Sequence, residues 1–569
     1  MNRQALCHIQ QSNYAFAPSA DSICIRLRTA KDDLTAVVLV LGIKFNWGHR
    51  DRYPMEKILS DEDFDYYECL CPVEDSRLGY YFELYEEDSF LCYCEAGLLE
   101  QIDHERSYLQ YFQYPYINAV DVHRMPDWTD GAVFYQIFVE RFFNGRPDIS
   151  PPGLSTWNTA PTPESFFGGD LKGITLKIPY LYELGINGLY LTPIFEAPSC
   201  HKYDTADYRK IDPHFGDEED FKELVETARK NGIRIVLDAV FNHSGILFGP
   251  FQDVLKNGEA SPYKDWFYIQ DFPVTTDPLN YKVFGFSPYM PKLNTGNPEL
   301  RAYLLDATRY WMETFDIDGW RLDVSDEVDH RFWREFRDMV KSVNPDAILI
   351  GENWHNSYSW LQGDQFDSVM NYSVTKSCTA FFAEQTIDAQ KFSCELSEYL
   401  MRYSTQVNYA LLNLLDSHDT PRFLTLCGEN KGRFKNAVAF IFSYVGIPCT
   451  YYGNEIGLNG GGEPACRKTF PWEESAWDKE LLNFYKRLIA LRKSEPALQQ
   501  GTVRFSTDGP LLVMERVLQG QRILLLVNNT LQSRTAQSIP DGTDLMTGEP
   551  YGSTIHVPPE AFRLLKINA

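Results

Sequence analysis

The chain has 569 residues, 44% of them hydrophobic, and a formal net charge of −26. That length is too great for one compact domain, and that charge disfavours nucleic acid and anionic membranes as partners and leaves neutral or cationic ligands. The opening "MNRQALCHIQQSNYAF" lacks an apolar core of signal-peptide length, and no run is long and clean enough to span a bilayer.

The first hundred residues read as all-β. "SICIRLRTA" alternates Ile23, Ile25 and Leu27 with Cys24, Arg26 and Arg28, and "LTAVVLVLG", "DYYECLCPV", "LGYYFELYEED" and "SFLCYCE" follow between polar turns. Short strands at this spacing predict a β-sandwich over residues 1–122. The pairs Cys69/Cys71 and Cys92/Cys94 fall on alternate strand positions. With no histidine or wider ligand pattern beside them, they read as buried thiols rather than a metal site. Twelve scattered cysteines without a disulfide framework fit a reducing, cytoplasmic setting.

Near residue 125 apolar strands begin to alternate with amphipathic helices. Strands are expected in "AVFYQIFVE", "INGLYLTP", "IRIVLDAV", "IDGWRLDV", "AILIGEN", "FDSVMNY", "YALLNLLDS" and "GIPCTYYGN". The helix in "DEEDFKELVETARKNG" places Phe221, Leu224, Val225 and Ala228 on one face, with Asp217 to cap its start and Gly232 to end it. Eight β-then-α units predict an α/β fold, a (β/α)8 TIM barrel over residues 123–244 and 296–490. The stretch after "IVLDAVFNHSG" is too long for a plain connection and is read as an inserted small domain, 245–295. Past residue 490, "TVRFSTDG", "LLVMERVLQGQRILLLVNNT" and "STIHVPP" predict a C-terminal antiparallel β-domain, 491–569.

Four of the apolar strands stop at a carboxyl: Asp238, Asp323, Glu352 and Asp419. In a (β/α)8 barrel the C-terminal strand ends share one face, so these four converge. Each alone is more simply a helix cap or loop contact. Together, with His243, His355 and His418 beside them, they point to a carboxylate active site. Glycoside hydrolysis needs such a set. One carboxylate attacks the anomeric carbon, and another, kept protonated by crowding of like charge, protonates the leaving oxygen. In "FDIDGWRLDVSDEVDH", Arg321 and Asp323 should share one strand face while Trp320, Leu322 and Val324 take the other. Arg321 is therefore expected to hold Asp323 ionised as nucleophile. Glu352, with no cation adjacent in sequence, is expected to be the proton donor.

The segments "GINGLYLTP", "DAVFNH", "GWRLDVSDEV", "GENWH" and "LLDSHD", in this order at strand ends, resemble the α-amylase superfamily over nearly the whole chain. The resemblance implies Asp323 as nucleophile, Glu352 as general acid/base and Asp419 as binder of the distorted sugar's hydroxyls. It implies that Arg321, His243 and His418 orient sugar and tune carboxylates, that Tyr203, with Asp207 in "HKYDTADY", stacks beneath the cleaved sugar, and that Asp238 and Asn242 support the site from behind. Trp354 is implied as an acceptor-side platform, and Glu463 with Arg467 as glycone-side contacts. "MPKLN" (Met290 to Asn294), "YQIFVERFFNG" and "SFFGGDLKGI" are similar to signatures of the cyclomaltodextrinase, neopullulanase and maltogenic amylase group.

For that group the resemblance implies cyclodextrins, maltooligosaccharides and pullulan as substrates, some transglycosylation, and a homodimer through the starch-binding-like N-terminal domain. No cofactor is required. The family's calcium loop keeps Asn144 and Asp170, but Arg146 replaces an aspartate and Ile149 an asparagine, and a cation there opposes calcium. Glu463 stands where aspartate is usual, and Asn353 where an apolar residue is. Glu327, just past the nucleophile, is read as ordering an acceptor sugar or water, against the plainer reading of a solvated helix start. An α-glucan transferase or α-1,6-acting relative remains an alternative. So does a non-catalytic sugar-binding relative, against which the three intact acids speak.

Overall fold

The structure, a computed structural model, describes residues 1–87, 89–104 and 110–568. At the N-terminus two antiparallel sheets form a sandwich. One orders Ala15–Ser19, Ser22–Ala30, Phe64–Pro72 and Glu56–Ser60; the other orders Asn46–Pro54, Ala36–Ile43, Leu78–Tyr85, Phe90–Cys94 and Gly97–Leu99. Ile23, Ile25 and Leu27 are fully buried between them against Leu39, Tyr80 and Phe82, as their alternation predicts. The opposite face of the same strand is also covered, because it lies on the barrel. Arg26 is 3% exposed and donates to the Tyr403 carbonyl at 2.7 Å, Thr405 Oγ1 at 3.0 Å and Glu68 Oε2 at 2.7 Å. All twelve cysteines are free, and no metal-holding group of His, Cys, Asp and Glu occurs among the described residues.

The barrel strands are β1 Phe134–Ile137, β2 Gly188–Leu191, β3 Arg234–Ala239, β4 Gly319–Leu322, β5 Ile348–Gly351, β6 Ser368–Val369, β7 Leu412–Asn413 and β8 Ile447–Tyr451. Neighbours pair in parallel in the order β6-β5-β4-β3-β2-β1-β8-β7. A parallel bridge from Met370 to Leu412 closes the ring between β6 and β7. Each expected strand segment contains one of these strands. In "YALLNLLDS", however, Tyr409 and Ala410 belong to the helix Thr405–Ala410. An unbroken apolar run carries no period that separates a buried helix end from a buried strand.

The helix Glu218–Lys230 begins in a capping box between Asp217 and Asp220 and is closed by Gly232 at φ 70°. Between β3 and the helix Pro298–Phe315, the interrupting segment packs as the helix Gly249–Asn257 and an irregular hairpin pinned by bridges Ile269–Tyr281 and Val283–Pro291. A bridge from His243 to Lys292 ties it to the end of β3. The C-terminal sheet pairs Thr502–Asp508, Leu511–Leu518, Gln521–Asn528 and Ala561–Ile567 antiparallel, with Gly542–Asp544 and Pro550–Tyr551 at one edge. Among the described residues no helix is long and apolar enough to cross a membrane.

Candidate active site

The C-terminal ends of the barrel strands open into a cavity of about 470 Å³. Asp323, Glu352 and Asp419 all line it, with Tyr203, His243, Glu327, Trp354, Glu463 and Arg467. Beneath the floor lies Arg321, fully buried. Its Nη1 donates to Asp238 Oδ1 and Oδ2, each at 2.9 Å, and to Asp323 Oδ1 at 2.8 Å. Its Nη2 stands 2.9 Å from Glu352 Oε2, yet off the N–H direction, so this contact is an ion pair and not a hydrogen bond. One guanidinium thus serves three carboxyls. Glu352 has no cation adjacent in sequence, but the ring of strands brings β4 and β5 side by side and so sets Arg321 against it.

Arg321 does not outweigh burial at Asp323. Desolvation pushes that carboxyl well up, the charges of Glu352, Asp238 and Asp419 add to the rise, and Arg321 opposes it. Burial and Glu352 push Asp419 up to about 7, against Arg321 and Arg467. Like charges this close cannot all be ionised together, and the hydrogen bond from Arg321 favours leaving the negative charge on Asp323, the nucleophile's state. Glu352 Oε2 accepts from the Val324 N–H at 2.9 Å, while Oε1 has a longer contact, 3.2 Å, from Trp354 Nε1.

Val324 departs from its expected place. β4 ends at Leu322, and Val324 turns left-handed (φ 44°, ψ 46°). Trp320 and Leu322 join the core outside the barrel, but Val324 lines the cleft. The alternation that placed all three on one face stops where the strand stops.

Asp238 and Asn242, read from sequence as supporting the site from behind, lie behind the cleft wall, and so do Arg321 and His418, read as orienting sugar and tuning carboxylates. Asp238 accepts from the hydroxyls of Tyr190 at 2.7 Å and Tyr203 at 2.9 Å. Asn242 Oδ1 accepts from Lys292. His418 takes the Gln136 amide on Nδ1 at 2.7 Å and meets Tyr203 Oη through Nε2 at 2.5 Å; burial holds this imidazole neutral. The rings of Tyr203 and His418 lie parallel, 5.3 Å apart. These residues are inaccessible because each spends its polar atoms on aiming another.

On the walls, His243 stacks on Phe284 at 4.7 Å and its Nε2 makes no hydrogen bond among the described residues. Trp354 is 44% exposed and stacks on Tyr372 at 3.7 Å, which fixes its plane. Glu327 reaches the cleft, paired with Lys292 Nζ at 3.0 Å. Arg467 Nη2 bridges Glu463 at 2.9 Å and Asp419 at 3.2 Å, so the longer acid still meets the retained arginine. Asp207 lies on the strand Asp207–Ile211 beside Lys210, away from the cavity wall. His201, Phe284, Met290 and Asp326 also line the cavity and were given no role from sequence. His201, Met290 and Asp326 lie within the quoted segments "HKYDTADY", "MPKLN" and "GWRLDVSDEV"; Phe284 carried no signal.

The residues of the altered calcium loop do not fit that ion. Asp170 takes N–H bonds from Gly145 at 2.9 Å and Arg146 at 2.7 Å on Oδ2 and from Gly173 at 2.6 Å on Oδ1. Its oxygens are thereby spent as a helix cap, and the Arg146 guanidinium pairs with Asp220 at 2.5 Å.

Residues 136–470 match the family model described as alpha amylase, catalytic domain, and residues 1–118 match alpha amylase, N-terminal ig-like domain. The chain belongs to the α-amylase family. It is 45% identical over 592 residues to a cyclomaltodextrinase of Geobacillus thermopakistaniensis (strain MAS1), covering 100% of both chains. It is 46% identical over 570 residues to neopullulanase 2 of Thermoactinomyces vulgaris, covering 96% of this chain and 95% of that one. A solved cyclomaltodextrinase structure superposes with a TM-score of 0.96 at 44% identity over 100% of each chain. Its relatives in this group are glycoside hydrolases, and so is this chain.

Proposed function

We propose that the chain hydrolyses α-1,4-glucosidic bonds of cyclodextrins, maltooligosaccharides and pullulan with retention, through a glycosyl-Asp323 intermediate. The carrying observation is the single guanidinium of Arg321 touching both Asp323 and Glu352. Both carboxyls reach one guanidinium, which limits how far apart they stand and favours the short spacing of a retaining pair, about 5 Å. Asp323 Oδ1 is held by Arg321, so Oδ2 attacks the anomeric carbon. Glu352 Oε1, with its one long contact, carries the proton to the leaving oxygen. The glycosidic bond breaks, and the aglycone departs as an alcohol. Glu352 then takes a proton from water, which attacks the same carbon and frees Asp323. His243 and the Arg467–Asp419 pair hold the sugar's hydroxyls.

Trp354, braced by Tyr372, gives an acceptor sugar a flat face, which supports transglycosylation beside hydrolysis. The names of the cyclomaltodextrinase and neopullulanase relatives support cyclodextrin and pullulan as substrates. The same group supports a homodimer through the N-terminal sandwich, and the twelve free cysteines support a cytoplasmic setting. No cofactor is required.

Incubation with a cyclodextrin, pullulan and soluble starch, with Glu352→Gln as blank, tests the reading. Fast cyclodextrin opening with slow starch attack is expected. Starch cleaved as fast as the cyclodextrin would refute the cyclodextrin preference, and sedimentation as a monomer would refute the dimer. Asp323→Asn and Glu352→Gln should each lower kcat by about 10³-fold or more with the circular dichroism spectrum unchanged.

A further inference from the structure

A second cavity, about 230 Å³, lies under the barrel, on the side away from the active site, where the link from the N-terminal sandwich meets the helix Lys479–Ser494. His123, Thr129, Asp130, Gln406, Arg492 and Gln500 are on its wall.

Arg492 is 2% exposed. It donates to the carbonyls of Phe442 at 3.4 Å and Tyr444 at 2.8 Å, and to that of Gly446. Arg516, 1% exposed, sits beside it and donates to the Ser443 carbonyl at 2.6 Å and the Gly501 carbonyl at 2.8 Å. Both guanidiniums therefore grip the C-terminal end of the helix Lys431–Ser443. That end offers about half a negative charge. Two buried cations stand against it, and among the described residues neither forms an ion pair. Burial and mutual repulsion push Arg492 down to about 9. A buried charge without a counter-ion is costly. Four polar atoms at the cavity also lack partners among the described residues: Arg492 Nε, Gln406 Oε1 and both ring nitrogens of His123. Nε donates, Oε1 accepts, and the His123 imidazole, kept neutral by burial, offers one of each. The carboxyl on the wall, Asp130, is engaged by the Gln500 amide at 2.5 Å.

We infer that this cavity binds a phosphoryl oxyanion, free or as a monoester, with Arg492 as its counter-charge. A phosphate at neutral pH still carries a proton, so it can donate to Gln406 Oε1 while it accepts from the guanidinium. Sulfate lacks that proton and chloride offers no donor. The site joins the link, the barrel base and the last barrel helix, so the bound ion clamps all three together.

Equilibrium dialysis of the whole chain with labelled inorganic phosphate, at fixed ionic strength, tests this. One phosphate per chain is expected, not displaced by maltotriose filling the cleft, and bound at least fivefold more tightly than sulfate or chloride. Gln500→Glu, at the exposed rim, should weaken it roughly fivefold, the effect of one partly screened repulsive charge; Arg492→Met should abolish it. Competition by glucose 6-phosphate below the phosphate concentration would mark a monoester as the occupant, and weaker competition would mark free phosphate. No binding, or binding that both variants leave unchanged, would overturn the assignment and leave Arg492 as a clamp on the helix end. Turnover is not read, so failure here is separate from failure of the glucan reading.

Discussion

Val324 carries the strain of the active site. A β-branched residue at φ 44° costs about 1–3 kcal/mol. In return the chain turns away just beyond Asp323, and the Val324 N–H is delivered to Glu352. Val324→Gly should leave stability unchanged or raise it by about 1 kcal/mol, while kcat on a cyclodextrin falls about tenfold as that N–H loosens. A large drop in melting temperature would show that the turn is not strained. Asp419 offers a second test. Its folded pKa of about 7 exceeds the unfolded value near 4, so the folded state binds the proton more tightly. The resulting stability is complete below about pH 4 and lost as pH rises through 7. A quarter of the side chain faces open solvent, which screens the effect. Asp419→Asn should therefore be more stable than the parent by on the order of 1 kcal/mol at pH 8 and equal to it below pH 4. Melting curves showing the same offset at both pH values would contradict this. The acids were legible because a buried apolar strand that ends on a carboxyl at the active face has few uses. The left-handed turn was not, since nothing in Val-Ser-Asp demands it.

Among elements, the strand Ser22–Ala30 shows how far alternation can be trusted. Its period placed Ile23, Ile25 and Leu27 inward correctly. It did not say what the opposite face meets, and Arg26 on that face is buried against the barrel. Alternation reports which residues differ, not what each face touches. Arg26 betrays the seam, because it spends its donors on Tyr403, Thr405 and Glu68. Arg26→Met should destabilise the chain by about 2–3 kcal/mol and speed proteolysis at the junction, since it leaves carbonyls and Glu68 without a partner. Melting and limited proteolysis check it, and an unchanged cleavage rate would count against the seam. The inserted segment was legible as an interruption only. Its hairpin has no period, so neither Phe284 against His243 nor Lys292 against Asn242 and Glu327 could be placed before the fold was known.

At the scale of the whole molecule, eight apolar runs alternating with amphipathic helices made the barrel legible, and the flanking β-modules followed from changes in that rhythm. What the rhythm could not show is how unevenly the ring is fastened. β6 and β7 are two residues each, joined by the Met370–Leu412 bridge and the Asn371 N–H to the Leu412 carbonyl at 2.8 Å. Side-chain amides supply what the ladder lacks: Asn371 Nδ2 donates to Asn413 Oδ1 at 2.9 Å, and Asn413 Nδ2 to the Val445 carbonyl at 2.7 Å. Local opening follows the thinnest fastening. The Asn371 amide should exchange with deuterium at least tenfold faster than those of Val236 and Leu237 in β3; equal protection would disprove a weak seam. This seam lies between the strands that bring Glu352 and Asp419 to the cleft. On heating, the ring should therefore part there first, and activity should die at a temperature where the rest of the chain is still folded.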